Sequence, residues 1–443
     1  MIPMRKKSTP SSNKWLTLLF ACLLLSCTVC NAATTETLKP DTITLSLTEA
    51  GTLHERIGNN KKLKIECLRL KGMLNIDDIQ FIREMAGCYY DTKGHKYDGH
   101  LRYLDISGAT LTNTDNKEVS IYPRDPSEYE GTPWPSAEAY INDKGTPVAI
   151  FAYLYDMEEI VLPAKLKSIG DDAFIFCRSL KSINIPESVQ KIGLRAFFGC
   201  SSLKSMKLPI GITEIKSGLL SSCTNLTSID IPYTTEEIGH NAFSKCTSLK
   251  SIELPYSLNN MGISVFYGCT ALTSVTIPKN IRYINDYTFY GCTGLKSLTL
   301  QEGTTDIWDY AFTDCTLLTT ITLPSTLGII CDAAFANCNS LKSIYALNPQ
   351  GIGIKGKPFE EYTQSQCTLY VPEGSMYNYQ CWEEWYAFNH IVEFSPTGIN
   401  GVHSAAERRE VERYDTSGRR QTSPTKGLNI VRFNDGTTRK VMK

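Results

Sequence analysis

Eight cysteines recur at intervals of 23 residues, with no insertion or deletion between them. They are Cys177, Cys200, Cys223, Cys246, Cys269, Cys292, Cys315 and Cys338. A fixed period between about 20 and 50 residues is typical of a solenoid, in which each repeat is one coil stacked on the previous one. One unit of this length cannot bury its apolar side alone, so the units must stack in order to fold. The spacing therefore restricts the chain to a repeat architecture.

The other positions of the unit are as regular as the cysteine. The position three residues before it holds Phe174, Phe197, Leu220, Phe243, Phe266, Phe289, Phe312 and Phe335. A leucine stands three residues after each cysteine, and an alternating apolar pair such as Ile183 and Ile185 follows, often with a proline behind it. The alternation predicts a short half-buried strand, which the proline ends because it has no backbone donor.

The segment between consecutive strands carries a second pattern, Ala-Phe-x-x-Cys. Its spacing is that of a helical turn, and it predicts that the phenylalanine and the cysteine face inward together. Glycine is common four residues before the aromatic position, as at Gly170, Gly193, Gly239 and Gly262. These glycines predict a turn that needs permissive backbone angles. Each unit is therefore expected to combine a short strand with a short helical turn.

The repeats resemble the leucine-rich repeats of the Bacteroides surface-protein-A type. Residues 185–206 match that family's pattern Ile-Pro-x-Ser-Val-x-x-Ile-Gly-x-x-Ala-Phe-x-x-Cys-x-x-Leu-x-x-Ile at every position but the last, where Met206 stands for isoleucine. The resemblance covers about 151–395, because an earlier rung begins at Phe151 and another strand follows at 369–372. It implies a leucine-rich repeat solenoid of α/β class, with short parallel strands stacked with short helical turns.

The two ends of the chain differ from the solenoid. Residues 1–33 have the basic start and short apolar run of a signal peptide. The run 24–27, Leu-Leu-Ser-Cys, is similar to a bacterial lipobox and would make Cys27 the lipidated first residue; the alternative is cleavage after Ala32. Residues 34–150 are predicted to form an N-terminal cap with irregular repeats. Residues 396–443 are predicted to form a linker and a small basic C-terminal β module, with ten Lys and Arg against five Asp and Glu from 401 onwards.

The composition gives little sign of catalysis. No phosphate-binding glycine loop, nucleophile elbow or HExxH motif occurs, and the six histidines form no zinc-finger pattern with the cysteines. We therefore expect no enzyme, no metal and no cofactor. A few arginines without a basic stripe argue against nucleic-acid binding. The ladder cysteines are expected to be buried free thiols, because leucine takes their position at Leu154. A pair between Cys67 and Cys88 stays open.

Some middle rungs carry aromatic residues at positions where the repeat pattern has none. Tyr267 and Tyr290 occupy one position of adjacent rungs, and Tyr287 and Tyr310 occupy another. Trp308 replaces the usual glycine, and Tyr283 is close by in the sequence. In a stack these six side chains share one neighbourhood, and exposed tyrosine and tryptophan suit contact with a protein or a glycan. The alternative is that some of the rings pack inward or merely shield the edges of the coils.

Together these features predict an exported, lipid-anchored protein of the cell surface or outer membrane. It would act as a non-catalytic binding or adhesion scaffold for a protein or glycan. The resemblance suggests a host matrix protein or another bacterial surface as partner. A structural surface component without a specific ligand, and less favoured an enzyme, are the competing hypotheses.

Overall fold

The computed structural model describes residues 42–87, 98–113, 119–121, 137–142, 145–395, 410–414, 421, 428–433 and 438–442. The chain divides into two compact units, residues 1–42 and 43–443, and of the first only Thr42 is described. The leader with Cys27, the cleavage site after Ala32, and Cys88 therefore lie outside the described residues. The predicted linker after residue 395 does so as well, as far as residue 409.

The N-terminal part is a parallel sheet with a helix packed beside it. Its elements are β1 (Ile43–Leu47), α1 (Leu53–Ile57), α2 (Asn59–Lys62), β2 (Cys67–Leu74), α3 (Ile76–Met85) and β3 (Tyr103–Leu111). Strands β2 and β3 pair in parallel, and α3 lies between them in the chain. Helix α3 begins through a capping box: the Asn75 side chain accepts from the Asp78 amide, and the Asp78 carboxylate accepts from the Asn75 amide.

A small antiparallel sheet precedes the regular rungs. It consists of β4 (Val119–Ile121), β5 (Ala137–Ile141) and β6 (Pro147–Val148), in the order β4-β5-β6. This sheet lies within residues 34–150, the segment predicted to form the N-terminal cap.

Each regular rung contributes one longer strand to a parallel face, which we call the first face, except the rung at 251–254, where Ser251 makes only an isolated bridge to Ser274. The strands are β7 (Glu159–Val161), β9 (Ser182–Asn184), β11 (Ser205–Lys207), β13 (Ser228–Asp230), β16 (Ser274–Ile277), β18 (Ser297–Leu300), β20 (Thr320–Leu323), β22 (Ser343–Ala346), β24 (Thr368–Pro372) and β25 (His390–Phe394). They form the sheets β1-β2-β3-β7-β9, β11-β13 and β16-β18-β20-β22-β24-β25. Partners such as Ile321 and Ile344 stand 23 residues apart, so the sequence period is the strand register.

A second face is built from two-residue strands. They are β8 (Ser168–Ile169), β10 (Lys191–Ile192), β12 (Glu214–Ile215), β14 (Glu237–Ile238), β15 (Asn260–Met261), β17 (Tyr283–Ile284), β19 (Asp306–Ile307), β21 (Ile329–Ile330) and β23 (Gly353–Ile354). All of their pairings are parallel. The expected leucine-rich repeat solenoid is therefore confirmed, with apolar side chains of both faces directed into one continuous core.

The segment between the second face and the cysteine is a series of turns rather than a helical turn. Two positions in each rung have a positive φ. One holds Ala149, Asp172, Arg195, Gly218, Asn241, Ser264, Tyr287, Tyr310, Ala333 and Gly356; the other holds Tyr153, Phe176, Gly199, Ser222, Lys245, Gly268, Gly291, Asp314 and Asn337. These left-handed residues prevent a continuous helix. They let backbone amides bond to the next rung instead, as from Asn241 to Ile263 and from Phe243 to Val265.

The glycine that recurs four residues before the aromatic position is not explained by the backbone freedom that the sequence predicted. Gly193, Gly239 and Gly262 are not among the residues with a positive φ. A Cβ at Gly262 would instead lie 2.6 Å from the backbone nitrogen of His240 in the preceding rung, and one at Gly239 would lie 2.6 Å from that of Ser217. Close approach between rungs, and not backbone freedom, favours glycine here.

The interior contains a column of stacked aromatic rings. Neighbouring phenylalanines lie with their ring centroids 5.3 Å apart for Phe266 and Phe289 and 5.4 Å apart for Phe289 and Phe312. The column extends from Phe151 to Phe359, with Leu220 in place of one ring. All of its members are buried, so the column forms the centre of the hydrophobic core.

The ladder cysteines bond between rungs as well as filling space. Each Sγ donates to the carbonyl oxygen of the aromatic position 26 residues earlier, as from Cys269 to Phe243 at 3.1 Å and from Cys315 to Phe289 at 3.3 Å. The same carbonyl also accepts the amide of its own rung's cysteine, as Phe243 does from Cys246. Cys200 to Cys338 are free and buried, as expected. Burial raises the pKa of the Cys269 and Cys338 thiols to about 12.

An aromatic cluster closes the last rungs. The helices there are α4 (Glu361–Gln366), α5 (Met376–Gln380) and α6 (Glu383–Tyr386). Trp385 is fully buried, packs against Phe359, and donates from Nε1 to the Ile352 carbonyl at 2.7 Å. The described part of the C-terminal region is an antiparallel sheet of β26 (Glu410–Tyr414), β27 (Leu428–Phe433) and β28 (Thr438–Met442).

Candidate functional site

Four of the six aromatic residues singled out in the sequence form two stacked pairs on the turn segments. Tyr267 and Tyr290 lie with their ring centroids 5.0 Å apart and their planes 4° apart. Tyr287 and Tyr310 lie 5.0 Å apart with an interplanar angle of 2°. Tyr287 and Tyr290, at 5.8 Å, join the two pairs. We call these four residues the tyrosine face.

The backbone explains why the rings of the tyrosine face point outward. Tyr287 and Tyr310 both have φ of 56° and occupy one of the left-handed positions of the rung. Their neighbours in that column, Ser264 and Ala333, are small and cannot cover the outer faces of the rings. Tyr287 remains 36% exposed and the other three rings are half-buried. The four rings therefore lie together, and none of them is fully buried.

The remaining two predicted residues stand apart from this cluster. Tyr283 lies in β17, is 44% exposed, and has the Arg282 guanidinium 6.0 Å from its ring centroid. Trp308 is half-buried, with the Lys355 ammonium 5.9 Å from its ring. Among the ring contacts of the described residues, none connects either side chain to the tyrosine face. Both belong to the same rungs but make cation–π contacts of their own.

Aspartates border the tyrosine face. Asp286 and Asp309 each use Oδ1 to accept the backbone amide of the aspartate one rung later, at 3.0 Å in both cases. Burial, Tyr310 and Asp286 together raise the pKa of Tyr287. Asp314, followed by burial, raises the pKa of Tyr290. The hydroxyl groups of both tyrosines are therefore protonated at neutral pH, and that of Tyr290 already interacts with Asp314.

A hollow adjoins the tyrosine face on its N-terminal side. It has a volume of about 740 Å³ and is lined by residues of four consecutive rungs, among them Phe198, Ser221, Ser244 and Tyr267. These four stand in one column, and the two buried serines leave a gap between the two aromatic residues. We call this space the serine hollow. The serine hollow is not among the sites predicted from the sequence, although the change from aromatic to serine and back at 23-residue intervals is visible there.

A second concavity lies on the first face. Its volume is about 570 Å³, and it spans the rungs between Ser182 and Tyr256. Among its outward side chains, Lys207 forms an exposed ion pair with Glu187 at 3.3 Å, while Asp230 and Glu253 carry negative charge. This is the polar strip that alternation predicts for a solvated strand face. Charges of both signs at an exposed surface contribute little directional preference.

Metal sites and membrane-spanning helices were the other features considered in the described residues. Among the residues that the structure describes, no group of three or more His, Cys, Asp or Glu side chains is arranged to hold a metal ion. Across the same residues, no helix has the length and apolar character needed to cross a bilayer.

The parallel strands in a 23-residue register, the inward leucines and the buried cysteine ladder define a leucine-rich repeat solenoid. A model of the BspA type leucine-rich repeat region matches residues 147–273 and 259–373, in six copies. These ranges cover just over half of the 443 residues. The chain belongs to the BspA-type leucine-rich repeat family.

Solved structures of other leucine-rich repeat proteins are similar to the chain. A leucine-rich repeat protein from Bacteroides ovatus is 25% identical, with 69% of this chain and 90% of that chain covered and a TM-score of 0.37. A leucine-rich cell surface protein from Faecalibacterium prausnitzii is 21% identical, with 56% and 80% covered and a TM-score of 0.26. The pneumococcal vaccine antigen PcpA is 19% identical, with 54% and 80% covered and a TM-score of 0.32. No curated protein matched the sequence.

Proposed function

We propose that the chain is an exported cell-surface scaffold that binds a protein or glycan partner through the tyrosine face and performs no chemistry on it. The observation that carries the proposal is the pair of exposed tyrosine stacks, Tyr267 with Tyr290 and Tyr287 with Tyr310. They interrupt a repeat whose interior does not change in the same rungs. Trp308 and Tyr283, in those rungs, extend the proposed surface.

Exposed tyrosine rings can contribute both apolar area and hydrogen-bond donors to a binding surface. Stacked tyrosines at a surface leave apolar area in contact with water, which a partner removes on binding. Each ring loses little conformational freedom when it is bound, because its neighbour already holds it. The hydroxyl groups then supply donors to polar groups of the partner. A matrix protein of a host, or the surface of another bacterium, is the partner class that the family resemblance favours.

A binding array tests this proposal. The purified chain is applied to arrays of extracellular-matrix proteins and glycans, and the strongest partner is titrated against the double variant Tyr287→Ala/Tyr310→Ala. We expect the variant to bind at least about tenfold more weakly. The matched control is Tyr377→Ala/Tyr386→Ala, since those tyrosines are 77% and 68% exposed near the C-terminal end.

Two results would contradict the proposal. Equal affinities of both double variants and the unchanged chain would place the binding surface elsewhere. A chain that is abundant on cells and binds no member of the array would favour the structural surface component. Circular dichroism of each variant separates loss of binding from loss of fold.

Anchoring through Cys27 is the second part of the proposal. Several acyl chains on one N-terminus hold a protein at a bilayer firmly, whereas a single chain does not. Cells grown with a palmitate analogue are expected to label the unchanged chain and Cys30→Ser but not Cys27→Ser. A mature protein that begins at Ala33 would instead show ordinary signal-peptide cleavage.

A further inference from the structure

We propose that the serine hollow binds an acidic sugar residue, whose pyranose ring stacks on Tyr267 and whose negative group pairs with Lys245. This inference rests on the proposed binding function and names a ligand class for a site beside the tyrosine face. A space of about 740 Å³ falls within the range of small-molecule sites.

One face of Tyr267 is available to a ligand in the hollow. Tyr290 covers the other face, with an interplanar angle of 4°. In the preceding rung the same column holds Ser244, whose side chain is too short to cover a ring, and then Ser221. The next aromatic residue, Phe198, lies three rungs from Tyr267, or about 14 Å at 4.8 Å for each rung. The gap therefore has an aromatic residue at each end.

Several polar side chains around the hollow can donate hydrogen bonds. Nδ1 of His240 accepts the Ile263 amide at 2.9 Å, so the proton of the neutral ring is on Nε2, which is left as a donor. Asn241 and Lys245 line the same space. Arg195 also lines it, but its guanidinium makes two hydrogen bonds to Asp172, at 2.9 and 2.8 Å.

Charge decides which class of ligand suits the uncovered side of the Tyr267 ring. Such a face binds cations, aromatic rings or the C–H face of a sugar. No carboxylate lines the hollow, and within the described part of the chain no acidic side chain forms an ion pair with Lys245. A cation would be repelled by Lys245, and a purely aromatic ligand would make no hydrogen bonds to the donors. A sugar that carries a carboxylate satisfies the ring, the donors and the charge together.

Calorimetric titration with trigalacturonic acid tests the inference, and its methyl ester is the matched ligand without charge. We expect the acid to bind at least about tenfold more tightly than the ester, and Lys245→Gln to remove most of that difference. Tyr267→Ala is expected to weaken binding of the acid by about tenfold or more. A heparin oligosaccharide, used as a second probe, distinguishes a sulfate from a carboxylate as the negative group.

A filling variant locates the site. Ser244→Tyr continues the aromatic column into the hollow, and the column already accepts a ring at Phe198 and at Tyr267, so the variant is expected to fold and to lose binding of the acid. Ala336→Tyr is the control, since Ala336 stands in the same column three rungs beyond Tyr267. It should bind as the unchanged chain does.

The outcomes separate this inference from the proposed function. The inference fails if the acid does not bind, if the ester binds as well as the acid, or if Ser244→Tyr still binds. An array partner that is lost with Tyr287→Ala/Tyr310→Ala, together with a failure of the acid to bind the unchanged chain, would leave the tyrosine face standing and reject the sugar site alone.

Discussion

Two aromatic columns pass through the same rungs and differ in little except which side of the backbone they occupy. Inside, Phe266 and Phe289 stack with centroids 5.3 Å apart. Outside, Tyr267 and Tyr290, one residue further along the chain, stack at 5.0 Å. The similar spacing shows that the rung repeat alone brings rings into contact. Stacking is therefore a property of the scaffold, and exposure is what distinguishes a binding surface from a core.

The columns also differ in length. The inner one runs from Phe151 to Phe359 with a single leucine in it, whereas each exterior tyrosine pair spans two rungs. A gap in the inner column would leave a cavity, so every rung needs a large apolar residue there. The outer positions hold serine, tyrosine or threonine in different rungs. The comparison predicts that inner changes alter stability and outer changes alter binding.

Phe289→Ala is expected to have the largest effect on stability. It removes a fully buried ring that stacks on Phe266 and Phe312, and the loss in free energy of unfolding should be about 3–5 kcal/mol. The neighbouring Tyr290→Ala should cost about 1 kcal/mol or less, because its ring is half-exposed. Urea denaturation followed by circular dichroism measures both. Equal losses would show that the outer column is part of the scaffold.

Substitution of a ladder cysteine is expected to cause the next largest loss of stability. Cys269→Ala removes a buried sulfur and its bond to the Phe243 carbonyl, which keeps the bond from the Cys246 amide, and should cost about 1–2 kcal/mol. Cys269→Ser keeps a donor and should cost less than alanine does. Cys381→Ala is the control, because Cys381 is exposed and its loss should be near neutral. A ranking in which serine is the worse substitution would identify the cysteine as a purely apolar filler.

The raised thiol pKa predicts a loss of stability in alkaline solution. The folded chain holds the Cys269 proton up to a pKa of about 12, whereas the unfolded chain releases it near 9.0. The folded state therefore binds more protons between these values, and stability falls as pH rises from 9 towards 12. Between pH 8 and 10 the single thiol accounts for about 1.4 kcal/mol. Urea denaturation of Cys269→Val at both pH values should show a loss smaller by that amount.

Much of the scaffold was predictable because the period itself specifies contacts. A residue in a solenoid packs against those one period away, so Phe266 above Phe243 and Tyr290 above Tyr267 follow from counting. The predicted inward direction of phenylalanine and cysteine was also correct. The solenoid and its parallel strands required no other information.

The turn segments could not be predicted in the same way. A left-handed backbone at Tyr287 or Lys245 carries no local signature, since both are residue types that seldom adopt it. The surrounding rungs impose this conformation through backbone bonds such as that from Lys245 to the Tyr267 carbonyl. The thiol bonds and the serine hollow depend on the same geometry. Tertiary contacts therefore decide the features that matter most for the candidate site.

The smallest expected effect tests whether the exterior rings stabilise one another. In a double-mutant cycle, Tyr267→Ala and Tyr290→Ala should show a coupling of about 0.5–1 kcal/mol in the free energy of unfolding. Tyr267 and Tyr310 make no ring contact among the described residues, and their substitutions should be additive within about 0.5 kcal/mol. Coupling confined to the stacked pair would show that each ring orients its neighbour before a partner arrives. Equal coupling in the two cycles would mean that the rings respond to a shared backbone change, so that stacking does not prepare the tyrosine face for binding.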